Sequence, residues 1–235
     1  MARNLIIGDI HGMYDRMLSA LSSADFNPEE DNLYAVGDFC DRGPEPIKVL
    51  DYLMNLPHFF PVVGNHDMWL YDYLCGYGPA PIWLDPRNGG MKTYARFKNI
   101  DTQKKSEIRD WLGAIPVIRT TDKYIILHAG PVDNVESLEG MTLAKAYRFK
   151  RFSGSYPAAV FDVVWDRNYI RSAMNNNGDP FRTDRTIICG HTPLEEVFHS
   201  DRYHITCIDT GSFVKEGCIT VMDMDTGNLF SSRAE

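Results

Sequence analysis

Short apolar runs recur along the chain, and each gives way to glycine and polar residues. Leu5-Ile6-Ile7 leads into Gly8-Asp9-Ile10-His11-Gly12, and Leu33-Tyr34-Ala35-Val36 leads into Gly37-Asp38-Phe39-Cys40-Asp41-Arg42-Gly43. Phe59-Phe60-Pro61-Val62-Val63 leads into Gly64-Asn65-His66-Asp67. Tyr124-Ile125-Ile126-Leu127 leads into His128-Ala129-Gly130, and Thr186-Ile187-Ile188-Cys189 leads into Gly190-His191-Thr192. An apolar run of this length that stops at glycine reads as a buried strand delivering its last residues to a sheet edge. Between the first three runs, Met13, Met17, Leu18 and Leu21, and then Ile47, Val49, Leu50, Leu53 and Leu56, recur at helical spacing. Pro44 stands near the start of the second of these helices, where its missing N–H costs nothing. The first third is therefore β-α-β-α-β, which predicts parallel strands with right-handed crossovers.

Beyond residue 64 the pattern predicts a short helix over 68–74, an aperiodic loop over 75–90 lying above a site, and a helix over 91–97. A charged surface helix follows over 102–112, then a hairpin of 117–120 with 123–127. Residues 141–152 interleave Lys145, Arg148, Lys150 and Arg151 with Tyr147, Phe149 and Phe152, and read as a solvated helix with a buried aromatic edge. The tail 203–230 reads as antiparallel strands of a second sheet. The fold class is α/β, and no repeat or linker divides the chain, so residues 1–235 are expected to form a single domain.

Composition narrows the function. The chain is 44% hydrophobic and 24% charged with a net charge of -8, which argues against nucleic acid or an anionic membrane as a partner. No apolar stretch approaches the ~20 residues of a membrane helix. The N-terminus enters a strand almost at once, so no signal peptide is expected. Cys40, Cys75, Cys189, Cys207 and Cys218 are scattered and odd in number, which predicts reduced thiols in a cytoplasm.

The strand ends carry the chemistry. Asp9, His11, Asp38, Asn65, His128 and His191 combine carboxylate, imidazole and amide oxygen, a donor set for Mn, Fe or Zn rather than Ca or a thiolate-bound metal. A satisfied polar group at a strand end explains any one of them. It does not explain four of the seven histidines (His11, His66, His128 and His191) at equivalent strand ends. A carboxylate such as Asp38 can bridge two metals, and two ions about 3.5–4 Å apart clamp a phosphate and generate hydroxide from a shared water.

Gly8-Asp9-Ile10-His11-Gly12, the Asp38 to Gly43 block, Gly64-Asn65-His66-Asp67, His128-Ala129-Gly130 and Gly190-His191-Thr192-Pro193 together resemble the ordered signature of the metallophosphoesterases. Asp41-Arg42-Gly43 narrows the resemblance to the phosphoprotein phosphatase branch, in particular to small bacterial and phage protein phosphatases and symmetrical diadenosine tetraphosphatases. The resemblance implies a two-sheet β-sandwich flanked by helices, the calcineurin-like fold. It implies two divalent cations, manganese or else iron or zinc, one on Asp9, His11 and Asp38 and the other on Asp38, Asn65, His128 and His191. By the same resemblance His66 is the general acid opposite a metal-bridging hydroxide, Asp41 orients it, and Arg42 and Arg167 hold the phosphate.

The implied activity is hydrolysis of phosphoric monoesters on protein Ser/Thr, with the symmetrical bis(5'-nucleosyl)-tetraphosphatase reaction or another nucleotide hydrolysis as the alternative. The substrate partner is accordingly a phosphoprotein or a phosphorylated small molecule, while the oligomeric state is not legible. Two departures from the family pattern stand out. Asp67 replaces the usual Glu and is expected to support His66. Asp209-Thr210-Gly211-Ser212 replaces the Ser-Ala-Pro-Asn-Tyr stretch of the eukaryotic enzymes. Cys40 reads as a core thiol, and His58, His199 and His204 as structural or surface residues.

Overall fold

The computed structural model describes residues 2–232. Strands β1 (Asn4–Ile7), β2 (Asn32–Ala35) and β3 (Phe59–Pro61) run parallel, with helices α1 (Tyr14–Ser23) and α2 (Pro46–Met54) as the crossovers. Each helix buries the face its spacing marks: Met17, Ala20 and Leu21 on α1, and Val49, Leu50 and Leu53 on α2. Helix α3 (Asn65–Asp72) follows β3 directly, then come a π-helical turn (Tyr73–Tyr77), α4 (Pro81–Leu84), α5 (Gly90–Phe97) and α6 (Thr102–Ala114). The hairpin of β4 (Ile118–Thr120) and β5 (Tyr124–Leu127) forms as the pattern predicts. After it come α7 (Leu143–Ser153), α8 (Ala158–Trp165), α9 (Asn168–Met174) and β6 (Thr186–Cys189). The chain finishes with β7 (Phe198–Ser200), β8 (Ile205–Cys207), β9 (Thr220–Asp223) and β10 (Leu229–Ser231).

Two mixed sheets result, in the orders β10-β9-β1-β2-β3 and β4-β5-β6-β8-β7. Alternation along single strands seals them together. Ile6, Ile126 and Ile188 join Val36, Val62, Ile208, Met222 and Met224 in a cluster drawn from both sheets. Their neighbours Leu5, Ile7, Ile125, Leu127, Ile187 and Cys189 point the other way, into the larger cluster shared with the helices. A period of two therefore makes each of these strands apolar on both faces.

Four expectations are corrected. The tail does not build one sheet, since β7 and β8 complete the second while β9 pairs antiparallel with β1 and extends the first. Period-two patterning cannot say which free edge an antiparallel strand joins. Helix α3 starts at Asn65 rather than 68, because the Asp67 carboxylate accepts the Gly64 N–H at 2.9 Å and caps the first turn. Residues 75–90 are partly helical and pinned by fully buried Trp83. The aromatic edge of α7 is not buried: Tyr147 is, but Phe149 is 51% and Phe152 94% exposed. Among the described residues, no helix is long and apolar enough to cross a membrane.

Candidate active site

The strand-end loops adopt a backbone that most residues avoid. Among the described residues, nine non-glycine residues have positive φ, and five of them are His11, Asp38, Asp41, Arg42 and His191. Left-handed backbone at a bulky residue costs on the order of 1–3 kcal/mol and collects where a side chain must be aimed. Here it turns each side chain back over the strand ends. Two glycines make room: a Cβ on Gly64 would overlap the Asp38 carboxylate, and one on Gly190 would overlap Asp9.

Asp38 lies at the centre. Its Oδ2 is 3.5 Å from His11 Nε2, 3.4 Å from His128 Nε2 and 4.0 Å from His66 Nε2. Its Oδ1 accepts the His66 N–H at 2.9 Å, so the first turn of α3 holds the carboxylate in place. Asp9 Oδ2 is 3.9 Å from His11 Nε2, and both Asp9 oxygens face the His191 N–H, at 3.3 and 3.1 Å. Ligand-type atoms converge in two groups that share Asp38, His11–Asp38–His66 and Asp38–His128–His191. His66, read as the general acid, sits within the first group, while Asp9 lies at its edge, 3.9 Å from His11, and Asn65 adjoins His128 at 3.0 Å.

The imidazoles are prepared for ligation. His11 Nδ1 donates to the Cys40 carbonyl at 3.0 Å and His128 Nδ1 to the Val36 carbonyl at 2.7 Å, so in the neutral ring each Nε2 lone pair faces inward. His128 Nε2 lies 3.0 Å from Asn65 Oδ1 and 3.4 Å from Asp38 Oδ2, so ligand-type atoms of all three residues face one another. Burial, helped by the Arg42 charge, holds His11 well below the usual histidine range. Burial, with His128 and Arg167, pushes His191 down to about 2. Both rings are neutral and ligand-competent. Two carboxylates move the opposite way: burial next to Asp209 and Asp38 raises Asp9 well above its ordinary value, and burial raises Asp209 to about 6. Asp38 behaves differently: against its burial, His128 and His66 hold it well below its ordinary value, and Asp38 in turn raises His128 against its own burial. Asp9, Asp38 and Asp209 are buried together and His11 and His191 beside them are neutral, so positive charge is scarce at this centre. The residues therefore fit divalent cations.

His66, Asp41 and the arginines frame this centre. His66 Nδ1 is 2.6 Å from Asp41 Oδ2, and the Trp83 indole N–H donates to the same oxygen at 2.7 Å. The Asp41 N–H donates to Thr93 Oγ1 at 3.0 Å, which ties the loop to α5. Arg42 turns its guanidinium to His11 Nε2 and, at 3.2 Å, to His66 Nε2, with the Phe213 ring 4.0 Å beneath it. Arg167 donates to the His191 carbonyl at 3.0 Å. Arg42 Nε and Arg167 Nε are buried without partners, and two such donors suit an anion.

Asp67 supports the turn that carries His66 through the backbone. It accepts the N–H groups of Asp38 at 2.8 Å, Phe39 at 3.0 Å and Gly64 at 2.9 Å, and so binds the β2 loop to the start of α3. Sequence reasoning left Trp83, Thr93, Phe213 and Asp209 without a role. Asp209 carried a usable signal, because Ile205-Thr206-Cys207-Ile208 runs into Asp209-Thr210-Gly211 as the other strands run into their polar ends.

A profile of the calcineurin-like phosphoesterase family matches residues 2–214. Serine/threonine-protein phosphatase 2 of Salmonella typhimurium is 30% identical over 214 residues, 88% of this chain and 87% of that protein. The symmetrical bis(5'-nucleosyl)-tetraphosphatase of Yersinia pseudotuberculosis is 32% identical over 178 residues, 74% of this chain but 56% of that protein, so about half of that relative's length is matched. A protein serine/threonine phosphatase from Saccharomyces cerevisiae superposes with a TM-score of 0.66 at 14% identity, covering 100% of this chain and 81% of that one. That last likeness concerns the fold alone.

Proposed function

This chain belongs to the calcineurin-like phosphoesterases and is a phosphatase-type hydrolase, and from that premise we propose that it removes phosphate from phosphorylated side chains of proteins. The observation that carries the substrate class is the end-to-end likeness to the Salmonella protein phosphatase, which spans 88% of one chain and 87% of the other. A second reading, symmetrical cleavage of a dinucleoside tetraphosphate, is favoured by the 32% identity to the Yersinia enzyme.

Asp9, His11 and Asp38 would hold one divalent cation, and Asp38, Asn65, His128 and His191 a second, with manganese preferred over iron or zinc. When bound, such ions polarise phosphoryl oxygens and lower the pKa of water. The chain's own residues do the rest. Arg42 and Arg167 present paired N–H donors to the phosphoryl oxygens and neutralise charge that grows in the transition state. Asp41 accepts the His66 Nδ1–H, which leaves Nε2 as the nitrogen that hands a proton to the departing oxygen. Trp83 holds Asp41 in that task. The five cysteines are unbridged, which supports a reducing cytoplasmic setting.

A side-by-side measurement of kcat/KM with Mn²⁺ tests the reading. Phosphopeptides are expected to exceed diadenosine tetraphosphate, and a tetraphosphate value tenfold above the best phosphopeptide reverses the assignment.

A further inference from the structure

An aromatic track leads from the candidate active site to the surface. The Trp69 ring stands edge-on to His66 with centroids 4.9 Å apart, and Trp69 meets Trp165 at 5.0 Å. Trp165 lies 5.9 Å from His191 and stacks on Phe161 at 5.7 Å with 20° between the planes. The two tryptophans thus span from His66 in one ligand group to His191 in the other. Phe161 and Trp165 are four residues apart on α8, which puts them on one helical face.

This track is not closed into the core. Trp69 and Trp165 are half-buried and Phe161 is 49% exposed. Neither indole N–H has a hydrogen-bond partner among the described residues, whereas the buried Trp83 N–H does. A tryptophan used only for packing is normally paired at that nitrogen.

We propose that the Trp69–Trp165–Phe161 wall receives the ring of an aryl phosphate, so that the chain selects phosphotyrosine side chains over phosphoserine. This inference rests on the phosphomonoesterase reading and names its leaving group. Water adds across the P–O bond, phosphate leaves as one product, and the phenolate oxygen takes the proton from His66 Nε2. The oxygen protonated by His66 carries the aromatic ring directly, so the ring falls beside Trp69, one ring contact away. A serine ester places only a methylene there. A nucleotide interposes a ribose before its base, and a polyphosphate leaving group would lie along three neutral rings with no cation among them. Flat aromatic faces at 5–6 Å spacing suit offset or edge-to-face contact with another ring.

The test uses two peptides of one sequence, one carrying phosphotyrosine and one phosphoserine, together with their non-hydrolysable methylene phosphonates. Binding of the phosphonates to the Mn²⁺-loaded protein is measured by calorimetry, and hydrolysis of the esters by phosphate release. Phe161→Ala and Trp69→Leu are each expected to lower the aromatic-to-aliphatic affinity ratio roughly tenfold. Comparing ratios within each variant removes the intrinsic advantage of a phenol as a leaving group. Phe152→Ala, which alters a 94% exposed ring on α7, should keep the wild-type ratio. An unchanged ratio in both wall variants, or an equal fall for both phosphonates, overturns the proposal. Wild-type protein that binds the aromatic phosphonate selectively yet cleaves neither ester supports the wall and refutes the monoesterase activity instead.

Discussion

Trp83 donates its indole N–H to Asp41 across 2.7 Å, onto the same oxygen that stands 2.6 Å from His66 Nδ1. The other Asp41 oxygen is buried without a partner, so the indole and His66 hold this carboxylate through one oxygen. Trp83→Phe keeps most of the packing and removes the donor. Since a hydrogen bond to a charged group is worth about 1.5–3 kcal/mol, kcat should fall roughly tenfold or more while KM stays close to wild type. A steady-state comparison in which KM alone changes would detach Trp83 from His66.

Asp38 belongs to both ligand groups. Elemental analysis of purified Asp38→Asn is expected to find neither metal, whereas Asp9→Asn and His191→Ala each keep one. Retention of both ions by Asp38→Asn would refute a shared ligand.

His66→Asn should lose about 10²–10⁴ in kcat on a phosphoserine peptide, the range of a general acid. The loss should shrink on p-nitrophenyl phosphate, whose leaving group needs little protonation. Equal losses on the two substrates would count against proton donation. Reduced metal content in the variant would point to ligation, which its place beside His11 and Asp38 allows.

Arg42→Ala and Arg167→Ala are expected to raise KM and lower kcat with metal content unchanged, because both side chains carry buried, unpaired Nε donors. An unaltered Arg167→Ala enzyme would remove Arg167 from phosphate binding and leave its bond to the His191 carbonyl as its role. The adjoining Asp166 keeps its structural bond from Tyr169 N at 3.0 Å in either case.

Away from the site, Arg3 pairs with Asp31 at 2.6 Å and holds that carboxyl below the usual range, chiefly through their side-chain hydrogen bond. A depressed folded-state value stabilises above the unfolded value of about 3.9 and is lost as pH falls through the folded one. The melting temperature of Arg3→Met should therefore lie below wild type at pH 7 by no more than about 4 °C. The gap should close below about pH 4. A gap that persists in acid would assign the effect to the Arg3 bonds with the Ala24 and Asp25 carbonyls.

Local chemistry explains what could be read before any coordinates. The β1–α1–β2–α2–β3 order follows from runs whose spacing is set by neighbours along the chain. Asp9, His11, Asp38, Asn65, His128 and His191 could be picked out as candidates because they follow five strands, Asp9 and His11 both after β1, and parallel strands deliver their ends to one edge. The start of α3 was not legible, since Asn65 and His66 become helical only when Asp67 finds the Gly64 N–H, and Gly-Asn-His-Asp reads equally as a turn.

The sequence by itself determined which side chains could meet a cation and a phosphate, and which strands would carry them. Tertiary structure alone decided what stands behind and beside them. Trp83 reaches Asp41 from 42 positions away and Phe213 reaches Arg42 from the far end of the chain. Trp69 on α3 and Trp165 on α8 meet although β4 and β5 lie between those helices in the sequence. The sheet that β9 joins was likewise settled by which edge lay free beside β1. These contacts depend on how the two sheets stack and on the left-handed turns at His11, Asp38 and His191. Such turns are strained when taken alone, so no local propensity announces them, and only the packed molecule makes them the lowest state.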